Sequence, residues 1–184
     1  MKVLIICALI GIIVSVAQAQ QEKCYAVSMQ MGGSGGVYEV GALWGLFYAL
    51  KAIGQEKLMQ YDSVSGVSVG SINAFLVALY EKGQEEDMVN ELAELYNGLN
   101  TTDIITNRKH KYISALMGEG LYDDTPLLNF VTKIYKKHGS TVKRALSMGT
   151  VDLNSGNFIV FNETVSDPPK AVVSSSSIEL MFPV

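Results

Sequence analysis

Short apolar runs alternate with longer helical patterns along most of this 184-residue chain. Cys24–Met29 and Tyr61–Val67 each have the length and apolar content of a buried strand. Helical spacing follows each of them, over Val37–Ile53 and over Gly70–Lys82. Strands that alternate with helices predict an α/β fold with a largely parallel central sheet. Ligand sites in such sheets lie at the carboxyl ends of the strands, so the segments after these two strands are the first candidates.

The downstream part of the chain continues this alternation, and its length leaves room for one domain and hardly two. Two further helices are predicted at Glu85–Leu99 and Leu127–His138. A pair of strands is predicted at Ala145–Leu153 and Asn157–Phe161, and one more strand at Ala171–Val173.

Residues 1–19 have the features of a secretory signal peptide in the right order. Met1 and Lys2 give a positive start, Val3–Val16 is almost entirely apolar, and Ala17-Gln18-Ala19 offers small residues to a signal peptidase. The apolar run is shorter than the roughly 18 residues that a membrane-spanning helix needs. We therefore expect a protein that is secreted or reaches the lumen of the secretory pathway.

The charge of the chain restricts its partners. The sequence has 14 basic and 18 acidic residues, for a formal net charge of −4. A nucleic-acid-binding protein is expected to show a basic surface, so no nucleic-acid partner is predicted. An acidic protein is not attracted to anionic membranes either, so any contact with a lipid interface would depend on apolar side chains.

Covalent modification of the mature chain is restricted as well. After removal of the signal peptide it keeps one cysteine, Cys24, so it can form no internal disulfide. N-x-(S/T) sequons at Asn100 and Asn162 are candidate glycan sites on surface loops, and their occupancy stays open.

Gly66-Val67-Ser68-Val69-Gly70 is a G-x-S-x-G sequence between an apolar strand and an apolar helix. This is the context of a nucleophile elbow, in which two glycines leave room for a sharp turn that exposes the serine hydroxyl. The N-terminus of the following helix favours the negative charge that develops in acyl transfer. Ser68 is therefore the candidate nucleophile, with Gly66 and Gly70 as the elbow glycines.

Gly32-Gly33-Ser34-Gly35-Gly36 also lies between a strand and a helix. Backbone N–H groups in such a segment can point at an anion, either a phosphate or an oxyanion. The spacing fits G-x-G-x-x-G poorly and the P-loop lysine is missing, which argues against a nucleotide site. An oxyanion hole is favoured, and a plain tight turn remains an alternative.

Five segments of the chain resemble, in order, motifs of the patatin-like phospholipase family. Met31–Leu43 resembles the oxyanion segment G-G-G-x-(R/K)-G with its helix, and Asp62–Ala74 resembles the nucleophile elbow. Three later segments are similar to the G-L-x-D-x-x-P-L, T-D-L-x-x-G and S-S-A-x-P-x-x-F-P motifs: Gly120–Leu127, Thr150–Gly156 and Ser174–Pro183. On this basis residues 24–184 are identified as a patatin-like domain.

The resemblance implies a three-layer α/β/α fold and hydrolysis of acyl esters in a phospholipid or another acyl lipid, with transient contact at a lipid interface. It implies Ser68 as the nucleophile, and it requires no metal or cofactor. The oxyanion donors implied by position are the backbone N–H groups of Gly32, Gly33, Gly35 and Gly36. The family uses a Ser-Asp dyad without a catalytic histidine, so His110 and His138 are expected to be solvated.

The chain departs from the family pattern in three places. Met31 replaces the first glycine, and Gly35 stands where the family usually has Arg or Lys. The family's catalytic Asp lies in a D-G-(G/A) motif, and no Asp-Gly pair occurs in this chain. We therefore expect a C-terminally incomplete domain that lacks the part with this motif. The aspartates that belong to other motifs are not assigned as the base: Asp62, Asp123, Asp124 and Asp152.

Three hypotheses follow. The favoured one is a secreted lipid acyl hydrolase of phospholipase A type, which acts through Ser68 and a glycine-rich oxyanion hole. The second is a non-catalytic patatin-like protein that binds lipid or another partner and lacks the dyad Asp. The third is an ordinary α/β-hydrolase with a Ser-His-Asp triad, for which His138 is the candidate histidine.

Overall fold

The computed structural model describes residues 23–30, 32–110, 112, 114, 120–179 and 181–183. The predicted signal peptide, residues 1–19, lies outside these ranges, as does Met31. The main elements in chain order are β1 Ala26–Met29, α1 Gly36–Ala52, β2 Ser63–Val67, α2 Val69–Ala78, α3 Glu85–Gly98, β3 Thr106–Asn107, β4 Tyr122–Asp123, α4 Thr125–Lys137, β5 Ala145–Val151, β6 Phe158–Asn162 and α5 Pro168–Ser176.

The central sheet has the strand order β1-β2-β5-β6. β1 pairs with β2 and β2 pairs with β5 in parallel, whereas β6 is antiparallel to β5. β5 and β6 are the predicted strand pair, and Asn154-Ser155-Gly156 lies between them, where Gly156 has a φ of +71°. The short strands β3 and β4 form a separate antiparallel pair. The mainly parallel sheet and its helices confirm the predicted α/β fold class.

Helix α2 lies in the interior of the molecule. All residues from Gly70 to Ala78 are buried, and the helix packs against β1, β2 and β5 as well as against α1 and α5. A helix that is apolar all round belongs in such an environment. Because α2 begins directly after Ser68, its packing fixes the turn that carries this serine.

Helix α2 ends earlier than the sequence predicts, at Ala78 instead of Lys82. The buried guanidinium of Arg144 donates hydrogen bonds to the backbone carbonyls of Tyr80 (2.8 Å) and Glu81 (3.0 Å). It also donates to a carboxylate oxygen of Glu85 at 2.9 Å. Carbonyls beyond a helix end need partners, and here the side chain of the residue before β5 supplies them.

The prediction of a strand at Ala171–Val173 is wrong, because these residues lie in helix α5. The carboxylate of Asp167 accepts a hydrogen bond from the Lys170 backbone N–H at 3.2 Å, which caps the helix. Pro168 and Pro169 occupy its first positions, where the missing N–H groups cost nothing. A short apolar run cannot by itself distinguish a strand from a buried helix.

The surface of the described chain carries both sequons and part of α1. Asn100 and Asn162 are exposed, as a glycan requires, and their glycosylation stays a prediction. Helix α1 packs against α3, and it also exposes apolar residues that include Leu46. None of the helices in the described ranges combines the length and apolar character that crossing a membrane requires.

Candidate active site

Ser68 occupies a sharp turn between the end of β2 and the start of α2. Its φ of 57° and ψ of −128° lie in a region that residues other than glycine rarely adopt. Backbone strain of this kind persists only where the surrounding structure enforces it, and it occurs preferentially at functional sites. The geometry has the features expected of a nucleophile elbow.

Positions 66 and 70 of this turn have no room for a side chain, so both must be glycine. A Cβ atom on Gly66 would overlap the carbonyl of Gly70 and lie 2.7 Å from the backbone nitrogen of Ser71. A Cβ atom on Gly70 would lie 2.5 Å from the carbonyl oxygen of Met29, at the end of β1. The two glycines of the motif therefore permit the strand-to-helix turn and its packing against the neighbouring strand.

The glycine loop, Gly32–Gly36, contains a single 3-10 turn at its centre. The Gly35 N–H donates to the Gly32 carbonyl at 3.0 Å, and the Gly36 N–H donates to the Gly33 carbonyl. Gly33 has a φ of +53°, which favours glycine at this position. The N–H groups of Gly32 and Gly33 make no hydrogen bond to any described residue. Of the four predicted oxyanion donors, these two have N–H groups that the turn itself does not use.

The end of the glycine loop lies directly against the nucleophile turn. A Cβ atom on Gly36 would overlap the side chain of Val69, the residue after Ser68. The Gly36 carbonyl accepts a hydrogen bond from the side-chain amide of Asn73 at 3.0 Å. The same amide donates to Glu39 at 2.8 Å, and the other Glu39 oxygen accepts the Gln30 N–H at 2.6 Å. The last residue of the loop is thereby bonded to α2 directly, and Gln30, which precedes the loop, is connected to α2 through Glu39.

Asn73 is fully buried, and Tyr96 of α3 completes its hydrogen bonds. The Tyr96 hydroxyl donates to the side-chain oxygen of Asn73. Burial, and then the negative charge of Glu39, raise the pKa of Tyr96 far above its ordinary value. Tyr96 therefore stays protonated as a donor over the whole physiological pH range. Local sequence patterns do not reveal this network, because its members are distant in the chain.

Hydroxyl groups from the end of α5 contact the backbone of Ser68. The Ser68 N–H donates to the Ser175 hydroxyl at 3.0 Å, and that hydroxyl donates to the Gly149 carbonyl at 2.6 Å. The Ser68 carbonyl accepts from the Ser71 hydroxyl at 2.7 Å, and the Ser176 hydroxyl lies 3.2 Å from the same carbonyl. The serine run that includes Ser175 and Ser176 matched a family motif, but sequence reasoning assigned no role to either residue.

The expectation of solvated histidines holds for His110, which is exposed, but is wrong for His138. The side chain of His138 is 15% exposed, its Nε2 lies 3.2 Å from a carboxylate oxygen of Glu91, and its ring packs on Tyr80. Glu91 of α3 contacts the helix end that carries His138, so the imidazole has a structural partner there. Within the described part of the chain, no imidazole or carboxylate hydrogen-bonds to the Ser68 hydroxyl.

The aspartates that the sequence left unassigned have structural partners. Each accepts a hydrogen bond from a nearby side chain: Asp62 from Lys82, Asp123 from Thr125, Asp124 from Ser177 and Asp152 from Ser155. The Thr125 hydroxyl, followed by its backbone N–H, lowers the pKa of Asp123 below the ordinary value. Each of these carboxylates therefore has a structural partner, and none of these described side chains hydrogen-bonds to Ser68.

The described part of the chain has a cleft away from the nucleophile turn and no group of metal ligands. A cleft of about 650 Å³ opens between α3 and α4, and its walls include Glu94, Asn129 and Lys133 but none of the predicted site residues. Across the described ranges, no group of three or more His, Cys, Asp or Glu side chains could hold a metal ion. The expectation that no cofactor is needed stays a prediction.

Comparison with known proteins identifies the family. The family model "Patatin-like phospholipase" matches residues 27–177. The crystal structure of type III effector protein ExoU is similar with a TM-score of 0.44 and 14% identity, over 84% of this chain and 39% of that chain. The chain thus spans less than half of the length of that protein, and no curated protein sequence matches it significantly. Because the family model extends over most of the sequence, the chain belongs to the patatin-like phospholipase family.

Proposed function

We propose that this protein is a secreted lipid acyl hydrolase in which Ser68 is the nucleophile. The observation that carries the proposal is the strained backbone of Ser68 at the start of a buried helix. The glycine loop, which ends against the next residue, Val69, adds N–H donors near the turn. Members of the family are generally lipid acyl hydrolases, which agrees with this chemistry.

The reaction would proceed through an acyl-enzyme. The Ser68 hydroxyl oxygen attacks the ester carbonyl carbon, and the N–H groups of Gly32 and Gly33 stabilise the negative charge on the carbonyl oxygen. The positive end of the α2 dipole stabilises the same charge. Departure of the alcohol leaves an acyl group on Ser68, which water then releases as a fatty acid. The group that accepts the serine proton is not among the hydrogen-bond partners of Ser68 in the described ranges.

The proposed substrate is a phospholipid or another acyl lipid, reached by transient contact with a lipid interface. Val37 and Tyr38, directly after the glycine loop, are 54% and 79% exposed, so apolar surface adjoins the proposed site. The net charge of −4 favours contact through such apolar side chains over electrostatic attraction to anionic lipid.

The alternative is a non-catalytic patatin-like protein that binds lipid or another partner. The observation that favours it is the lack of a described carboxylate or imidazole in hydrogen-bond contact with the Ser68 hydroxyl. A serine hydroxyl without an activating base is a weak nucleophile. This alternative predicts binding to lipid vesicles without turnover.

The test is Ser68→Ala in the mature protein, expressed to its natural C-terminus, with release of fatty acid from phosphatidylcholine vesicles as the assay. Ser174→Ala, which changes an exposed serine of α5, is the matched control. We expect Ser68→Ala to lower kcat by about 10⁴-fold or more while circular dichroism and vesicle binding stay unchanged. Full activity in Ser68→Ala would exclude Ser68 as the nucleophile. Vesicle binding by an inactive wild type would support the non-catalytic alternative.

A further inference from the structure

We propose that the Ser175 hydroxyl is a positioning group for the nucleophile turn, through which the end of α5 holds Ser68 in its strained conformation. The inference rests on the proposed role of Ser68. Ser175 does not need to touch the substrate for this role, because it acts through the backbone of Ser68.

The hydrogen bonds of Ser175 define its position fully. A serine hydroxyl has one hydrogen to donate, and Ser175 donates it to the Gly149 carbonyl at 2.6 Å. A lone pair of the same oxygen then accepts the Ser68 N–H at 3.0 Å. The hydroxyl therefore bridges the nucleophile turn and the β5 backbone, and it has no rotational freedom that preserves both bonds.

The Ser68 N–H depends on this bridge more than the Ser68 carbonyl depends on its partners. The carbonyl accepts from the Ser71 hydroxyl at 2.7 Å and the Ser71 N–H at 2.8 Å. The Ser176 hydroxyl lies 3.2 Å from the same carbonyl and has a nearer acceptor, the Val172 carbonyl, at 2.9 Å. For the Ser68 N–H, Ser175 is the sole acceptor among the described residues. Loss of the Ser175 hydroxyl thus leaves this N–H unpaired, whereas loss of the Ser176 hydroxyl leaves the carbonyl with other donors.

The end of α5 is itself fixed on two sides. The Thr150 hydroxyl of β5 donates to the Ser174 carbonyl at 3.0 Å, and the Ser177 hydroxyl donates to Asp124, beside the start of α4, at 2.8 Å. Buried residues of α5 pack it against β5 and α2. The Ser175 hydroxyl is therefore presented from a rigid element, as a positioning group requires.

The chemical consequence concerns kcat. Without the bridge the Ser68 backbone can relax part of the way toward negative φ, against the remaining contacts of the turn, and this moves the side-chain oxygen away from the position of attack. A displacement of about 1 Å at a reacting group can cost about 10²-fold in rate. Substrate binding elsewhere on the molecule is not affected by this movement, so KM should stay near the wild-type value.

The experiment uses the mature protein with Ser175→Ala, Ser175→Thr and Ser174→Ala, the last as the matched control on the exposed side of the same helix. We expect Ser175→Ala to lower kcat about 10- to 100-fold with KM unchanged. Ser175→Thr keeps the hydroxyl and should recover most of the rate. Wild-type kcat in Ser175→Ala, with Ser68→Ala inactive, would overturn the positioning role while leaving the proposed function intact.

A second readout does not depend on activity. Amide hydrogen exchange at Ser68, measured by NMR, should be at least about 10-fold faster in Ser175→Ala than in wild type and unchanged in Ser174→Ala. If hydrolysis persists in Ser68→Ala, the proposed function fails, and the exchange rates still test the bridge. Equal exchange at Ser68 in all variants would overturn the inference.

Discussion

Replacement of Ser68 by glycine and by alanine tests whether the nucleophile turn stores backbone strain. Both changes remove the hydroxyl, so its loss cancels when the two variants are compared. At a φ of 57° and ψ of −128°, a residue with a Cβ atom pays about 1–3 kcal/mol that glycine does not. Glycine gains unfolded-state entropy worth about 0.4–1 kcal/mol, which acts in the opposite direction. Ser68→Gly should therefore be more stable than Ser68→Ala by about 1 kcal/mol, and by at most about 2.6 kcal/mol.

The assay is urea unfolding of both variants, with the same pair of changes at Ser174 as the control. Ser174 lies in the regular helix α5, where glycine should be less stable than alanine by about 1 kcal/mol. The sign of the Gly–Ala difference should thus reverse between the two positions. If glycine destabilises position 68 as much as position 174, the turn stores no strain and the reasoning is refuted.

Two further predictions concern stability. Arg144→Ala should lower the free energy of unfolding by about 3–5 kcal/mol, because the buried Glu85 carboxylate then lacks its cationic partner and keeps only the Gly83 N–H as a donor. The measurement is urea unfolding, with Lys143→Ala as the control because its ion pair with Glu81 is more exposed. The control should lose less than about 1 kcal/mol in free energy of unfolding. Hydrogen bonds from Thr125 lower the pKa of Asp123 in the folded protein. The ionised carboxylate therefore stabilises the fold fully at pH values above the ordinary pKa of an aspartate. This stabilisation is lost as the pH falls through the lowered pKa of the folded protein. The stability difference between wild type and Asp123→Asn should therefore shrink below about pH 4 in urea titrations, and a constant difference would contradict this.

Much of the fold could be predicted from local patterns. Apolar runs of strand length indicated β1, β2 and the β5–β6 pair, although β6 is mostly exposed and only Met29 of β1 is buried. Two features escaped this reasoning for different reasons. The Asp-Pro-Pro start of α5 was present in the sequence but was outweighed by the apolar run after it. The early end of α2 depends on Arg144, whose partners lie more than sixty residues away along the chain.

The residues of the candidate site also fall into those that a local pattern predicts and those that depend on distant contacts. The sequence could predict Ser68, Gly66 and Gly70 because a strand-to-helix elbow is a local structure. Its two glycine positions leave no room for a Cβ atom, so the motif itself shows them as glycines. Ser175 could not be assigned a role, because its contact with Ser68 joins residues that are 107 positions apart. The partner of a polar side chain depends on the topology that brings the two segments together.

The strain at Ser68 is sustained by contacts from three segments that meet at the turn. The end of β1 packs on Gly70, the glycine loop ends against Val69, and α5 contributes Ser175. Because these contacts come from different elements, the loss of one leaves the others to hold the turn. A positioning change should thus cost about 10- to 100-fold in rate, whereas removal of the Ser68 hydroxyl should cost about 10⁴-fold or more. A Ser175→Ala variant as inactive as Ser68→Ala would show that the bridge alone holds the turn, against this distributed arrangement.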